Sequence, residues 1–211
     1  MKRLLVLCAS PRRDGNSSLL AEVAVEGAQE AGHSAELFHL DDHIHSFLRD
    51  CRKCRNEDGD CTIDDGFRSL FIDHYLSADG VLFATPLYWY GMSGQLKTFF
   101  DRTFCYYAAS CPDSSSNLAS MSNKRIGLLI SSEETYPGAI LGLTHSLQEF
   151  SRYTHSEFVG VVQGIGNRRG DVEKDPSAPF DRARNLGATL FDRHYSDYRI
   201  DTPRPSSVWD K

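Results

Sequence analysis

A three-layer, doubly wound α/β fold is the architecture this sequence predicts, and three observations carry it. Apolar runs and amphipathic stretches alternate along the 211 residues, strand first. The first run, Arg3–Cys8, is continuous rather than alternating, as in a parallel strand buried on both faces. The segments that interrupt the pattern with glycine, proline and polar residues fall where such strands end, the edge at which open α/β sheets bind ligands.

The first run, Arg3–Cys8, is a buried strand. From Asn16 to Ala31, Leu20, Val23, Ala24, Gly27, Ala28 and Ala31 form a helical stripe that Gly32 ends. Ser34–Leu40 is the second strand, followed by a polar, cysteine-bearing stretch, Asp41–Asp65, without periodicity. A helix over 66–77 leads to the third strand, Asp79–Thr85. Ser93 caps the next helix, whose inner face is Leu96, Phe99, Phe100, Thr103 and Phe104. Cys105–Asn123 reads as a Ser-rich excursion with Ser114-Ser115-Ser116 as a mobile loop tip. Lys124–Ser131 is the fourth strand, Pro137–Tyr153 a helix and Glu157–Gln163 the fifth strand. Gly164–Pro179 is a polar loop and Phe180–His194 the last helix. One domain over residues 1–195 is expected, with excursions near 41–65, 105–123 and 164–179, and a tail, 196–211, without periodicity.

Composition narrows the function classes. With 23 basic and 29 acidic residues the net charge is −6. The basic pairs Lys2-Arg3, Arg12-Arg13 and Arg168-Arg169 are too sparse for phosphate-backbone or anionic-lipid binding, so neither nucleic acid nor membrane is an expected partner. The apolar run after Lys2-Arg3 is too short for a secretion signal, and no stretch approaches the ~20 apolar residues of a membrane span. A cytoplasmic protein is expected, its six cysteines thiols or ligands rather than disulfides. No Gly-x-Ser-x-Gly turn supports a hydrolase.

Two loops carry the chemistry. After the first strand, Ala9-Ser10-Pro11-Arg12-Arg13-Asp14-Gly15-Asn16-Ser17-Ser18 sets hydroxyls, an amide and guanidinium groups at a helix N-terminus. Unpaired N–H groups and the helix dipole favour a phosphate there, with side-chain donors from Ser10, Asn16, Ser17 and Ser18 and a charged contact from Arg12. Arg13 and Asp14 are expected to face solvent. Asn and Ser are also favoured helix caps, which is the plain structural alternative. After the third strand, Pro86, Leu87, Tyr88, Trp89, Tyr90 and Gly91 place three consecutive aromatics in a loop, which cannot all face a core. A flat aromatic cofactor would stack on them; an oligomer interface is the alternative.

Ser10-Pro11-Arg12 with Gly15-Asn16-Ser17 resembles the phosphate loop of the NAD(P)H-dependent FMN reductases, within the flavodoxin-like superfamily. Ala9 stands where that family usually has glycine. Thr85-Pro86-Leu87-Tyr88-Trp89, Ser93-Gly94-Gln95-Leu96-Lys97 and Asp101-Arg102 resemble its second motif. The resemblance spans roughly Lys2 to Gln163 and implies a flavodoxin-like, five-stranded parallel sheet of order 2-1-3-4-5. It also implies bound FMN, with NAD(P)H as co-substrate. Hydride would pass to the flavin N5 and electrons then to a quinone, a free flavin, a metal ion or another small acceptor. Ser131, at the fourth strand's end, would join the cofactor contacts. Flavin carries this chemistry, so no catalytic acid or base is assigned. Such proteins usually form homodimers or homotetramers.

Glu133 and Glu134 depart from the small residues the family has after the fourth strand, and are expected at the solvent-facing start of a helix; a carboxylate near the flavin's N1 side would lower its potential. Cys51, Cys54 and Cys61 are similar to the four-cysteine run of the iron–sulfur flavoproteins, but Glu57 stands where one cysteine would fall. Three thiolates make an incomplete ligand set, so no metal site is assigned; a redox dithiol or partial metal site is the alternative to plain thiols. The competing functions are a flavodoxin-type electron carrier without nicotinamide turnover, which would have fewer excursions, and a cofactor-less interaction module.

Overall fold

The computed structural model describes residues 1–49, 56–57 and 61–194. Its strands are β1 (Arg3–Cys8), β2 (Ser34–His39), β3 (Gly80–Pro86), β4 (Arg125–Ser132) and β5 (Glu157–Ile165). They pair in parallel in the order β2-β1-β3-β4-β5, the flavodoxin-like arrangement expected. The helices are α1 (Asn16–Glu30), α2 (Phe67–Ser69, continuing as a π-helix over Leu70–Tyr75), α3 (Gly94–Tyr107), α4 (Ser114–Met121), α5 (Leu141–Tyr153) and α6 (Pro179–Thr189).

Alternate strand residues feed two separate cores, because successive side chains point to opposite faces of a sheet. Leu4, Val6 and Cys8 of β1 pack with Leu20 and Ala24 of α1 and Leu186 of α6. Leu5 and Leu7 pack on the other face with Phe67, Phe71, Phe99 and Leu143.

Helix α1 is mounted on α6 at backbone distance. A Cβ added at Gly27 would lie 2.1 Å from the Arg184 carbonyl oxygen, and one at Gly187 would lie 2.0 Å from that of Ala24. Neither space admits a side chain. Arg184 adds hydrogen-bonded ion pairs to Glu26 and Glu30 at 2.6 and 2.7 Å. The C-terminal half of α1 is thereby fixed against α6.

One expectation is corrected. Ser114-Ser115-Ser116 is the first turn of α4 rather than a mobile loop tip. Buried Asn117 donates to the Tyr106 carbonyl at 2.8 Å and Met121 is fully buried, so packing against α3 outweighs the weak helix propensity of serine. Cys51, Cys54 and the tail from residue 195 lie outside the described residues. Cys61 is a half-buried thiol. Among the described residues no group of three or more His, Cys, Asp or Glu is placed to hold a metal, and no helix is long and apolar enough to cross a membrane.

Candidate functional site

The carboxyl ends of β1, β3, β4 and β5 open into one cleft of about 240 Å³. At one end lie Ser10, Arg12, Gly15, Asn16 and Ser17; at the other lie Pro86, Leu87 and Tyr88. Ser131 sits between them.

The β1–α1 loop is built from its own backbone. Ser10 Oγ accepts from the Arg12 N–H at 3.2 Å, and the Gly15 N–H donates to the Arg12 carbonyl at 3.1 Å. A Cβ at Gly15 would come within 3.1 Å of both Ser10 Oγ and the Arg12 carbonyl oxygen. Gly15 is the N-cap of α1, and no side chain caps this helix. Asn16 and Ser17 therefore do not spend themselves as caps, and the first-turn N–H groups remain available to a ligand. Ser18 differs from its neighbours. It is fully buried, its hydroxyl donates to the Arg12 carbonyl at 2.6 Å, and it contacts Cys8 Sγ at 3.5 Å, holding the loop from behind. Burial pushes the Cys8 thiol up, away from thiolate chemistry. Arg13 turns toward Asp41 and Asp42 at the end of β2, at 3.4 and 2.5 Å, and Asp14 pairs with Arg169 at 2.8 Å.

Ser131 joins the two ends of the cleft. Its hydroxyl lies 2.7 Å from that of Ser17, which is only 1% exposed, and its carbonyl accepts from the Leu87 N–H at 2.8 Å. Ser93 makes a second link. It caps α3 as expected, accepting from the Leu96 N–H at 3.4 Å and donating to the Ala9 carbonyl at 3.1 Å.

Past Tyr88 the chain makes a two-residue hairpin. Tyr88 and Gly91 exchange both backbone hydrogen bonds at 3.0 Å, and the central residues Trp89 and Tyr90 have φ of 50° and 60°. Two left-handed aromatics in succession are strained, because a Cβ there crowds the backbone. Trp89 is 95% exposed at the tip, with Tyr88 and Tyr90 about half exposed. Trp89, Tyr90 and Gly91 do not line the cleft, whose lining from this loop is Pro86, Leu87 and Tyr88. Glycine is not demanded at 91, where an added Cβ would meet only ordinary contacts.

Helix α3, which follows this hairpin, is anchored by Arg102. Its side chain is 2% exposed, donates to both Asp65 carboxylate oxygens at 2.5 and 2.8 Å and to the Ser46 carbonyl at 3.2 Å, and covers the Phe67 ring at 4.3 Å. Burial alone would raise the Asp65 carboxyl. Hydrogen bonds from Arg102 and from the His45 and Phe67 N–H groups override it and hold the carboxyl below the usual range.

The β5–α6 loop was read in the sequence only as a polar loop, yet Gly166, Asn167, Arg168 and Arg169 form one wall of the cleft. The ligand-binding edge of an open α/β sheet includes the end of the fifth strand, and the basic pair Arg168-Arg169 is its signal in the sequence. Glu133 and Glu134 line the cleft as well, and the exposed Glu133 accepts from Asn167 Nδ2 at 3.1 Å.

The topology and the ligand edge define a flavodoxin-like α/β protein. Residues 2–163 match the family of NADPH-dependent FMN reductases, and the chain belongs to that family. It is 30% identical over 177 residues to Bacillus subtilis YwqN, named as an NAD(P)H-dependent FMN-containing oxidoreductase, covering 83% of this chain and 92% of that one. An iron–sulfur flavoprotein of Methanocaldococcus jannaschii is 32% identical over 101 residues, 48% of this chain and 51% of that one. Among solved structures, the Trp repressor binding protein of Bacillus subtilis superimposes with a TM-score of 0.63 at 26% identity, over 89% of this chain and 97% of that one. The NAD(P)H:quinone oxidoreductase of Methanothermobacter marburgensis superimposes with 0.65 at 19% identity, over 92% and 98%, a likeness of fold.

The residues fit FMN, the family's cofactor. Hydroxyls, a guanidinium and an uncapped helix N-terminus suit a phosphate dianion, and the Pro86–Tyr88 segment at the far end offers a flat, partly aromatic wall.

Proposed function

We propose that this protein binds FMN in the cleft and uses it to pass electrons from NAD(P)H to a small acceptor such as a quinone, a free flavin or a metal ion. The observation that carries this reading is the single cleft with a phosphate-suited end and an aromatic end, joined through Ser131. When bound, FMN supplies the hydride-accepting and electron-donating chemistry.

The chain's own residues bind and orient. Ser10, Arg12 and Ser17, with the first-turn N–H groups of α1, hold the phosphate; Asn16 and Ser18 hold the loops that carry them. Pro86, Leu87 and Tyr88 seat the ring, Ser131 keeps the two ends in register, and Tyr88, Trp89, Tyr90 and Gly91 form the rim over which nicotinamide and acceptor approach. No side chain is required as acid or base. A second copy of the chain covers the exposed aromatics Trp89, Tyr90 and Tyr136, completing the acceptor pocket in a homodimer or homotetramer.

The purified protein, loaded with FMN and mixed anaerobically with NADPH or NADH, is expected to lose its yellow absorbance rapidly, and to regain it when a quinone is added. Bound FMN that NAD(P)H fails to bleach would make the protein an electron carrier. Failure to bind FMN at all would leave an interaction module.

A further inference from the structure

The side chain of Asn16 has no donor left for a ligand. Its Nδ2 donates to the carbonyls of Gly166 and Arg168 at 3.1 and 3.0 Å, and its Oδ1 accepts from the Val172 N–H at 3.4 Å. One amide at the start of α1 thus holds three points of a loop that follows β5, some 150 residues away in sequence. The fit is close: a Cβ at Gly166 would lie 2.8 Å from both Asn16 Nδ2 and the Val172 nitrogen. Asp171 adds a fourth tie, accepting from the Arg168 N–H at 2.8 Å. Clamped in this way, the loop presents Arg168 and Arg169 to the same cleft as Ser10, Arg12 and Ser17. Arg169 also reaches across to Asp14 of the β1–α1 loop, closing the rim between the two loops.

Resting on the reading that the cleft takes FMN, we infer that the β5–α6 loop is a second arm of the phosphate site. Arg168 and Arg169 supply charge to the 5′-phosphate, and Asn16 is a positioning residue that acts through them. A phosphate dianion beside Arg12 alone keeps a net negative charge; Arg168 and Arg169 of the adjoining loop, which line the same cleft, offset it, and arginine's planar fork suits phosphate oxygens. Arg169 is shared between the phosphate and Asp14, so Arg168 supplies the larger part of the added charge, and Asp171 is paired with Lys174 and the Arg168 N–H. Glu133, hydrogen-bonded to Asn167, and Glu134 also line the cleft, and their negative charge adds to what the arginines must offset.

The test is a titration of apoprotein with FMN and with riboflavin, which lacks the phosphate, followed by quenching of flavin fluorescence at low and high salt. Arg168→Ala/Arg169→Ala, both exposed positions, should weaken FMN binding by at least about tenfold, leave riboflavin unchanged and flatten the salt dependence. Asn16→Ala should produce the same FMN-selective loss, and the triple variant should bind no more weakly than the double arginine variant, because all three residues act through one arm. Unchanged FMN affinity in the arginine variant overturns the inference while leaving the FMN reading intact; failure of the unaltered protein to bind FMN overturns that reading itself. Equal losses for FMN and riboflavin, or additive losses in the triple variant, also overturn it. So does an effect confined to KM for NADPH over NADH with FMN affinity unchanged, which would assign the arginines to the co-substrate's 2′-phosphate.

Discussion

The two ends of the cleft are built on opposite principles. The cradle end is small, polar and internally tied: Ser17 and Ser18 are buried, their hydroxyls are engaged, and α1 is seated on α6 with no room for a Cβ between them. The aromatic end is large, exposed and strained, a two-residue turn whose left-handed positions carry a tryptophan and a tyrosine where glycine or asparagine is usual. A ligand held at both ends is anchored by the first and adjusted by the second. Reorganising the cradle would break buried hydrogen bonds, whereas the hairpin loses little packing when it moves.

Substitutions that attack each mount break this comparison most strongly. Asp65→Asn leaves the buried Arg102 guanidinium without its counter-charge and should cost about 3–5 kcal/mol in denaturant unfolding. The sign with pH follows from the depressed carboxyl: the pair's contribution is complete above about pH 4 and fades as pH falls through the folded-state value. Asp65→Asn should therefore lack that component of the acid limb. Gly27→Ala drives a Cβ against the Arg184 carbonyl and should cost about 1–3 kcal/mol, with FMN affinity falling because the cradle rides on α1.

Smaller changes sharpen the contrast. Ser17→Ala should weaken FMN binding about tenfold while lowering stability by only about 1 kcal/mol. Trp89→Asn should do the reverse. With almost no burial lost within the protomer and the left-handed strain relieved, the monomer should gain up to about 1 kcal/mol and FMN affinity should hold. KM for the acceptor should rise in steady-state kinetics, and the oligomer that covers Trp89 should dissociate more readily.

β1 was legible as a continuous apolar run and falls on the residues the pattern marks, Arg3–Cys8, whereas β2, Ser34–His39, is half-polar and was legible from its place between a helix end and a polar stretch. The order of the strands came with the motif resemblance rather than from periodicity. Helix α4 escaped because serine carries no apolar stripe; its buried residues, Asn117 and Met121, seat it, and their burial is a tertiary fact. The cradle residues were legible as types, but hydrogen-bond direction was not. Asn16 faces the β5–α6 loop, and Ser18 the backbone of its own loop, because each finds carbonyl acceptors that sequence spacing does not reveal. Arg168 and Arg169 were visible as a basic pair, and their place in the cleft depends on an amide about 150 residues upstream.

Anchoring at the phosphate end is tested most directly by the affinities of the unaltered apoprotein for FMN and for riboflavin, measured in one buffer. An FMN preference of about a hundredfold or more is expected from several charge-assisted contacts to the phosphate. Equal affinities for the two flavins would contradict it and move the anchor to the aromatic hairpin.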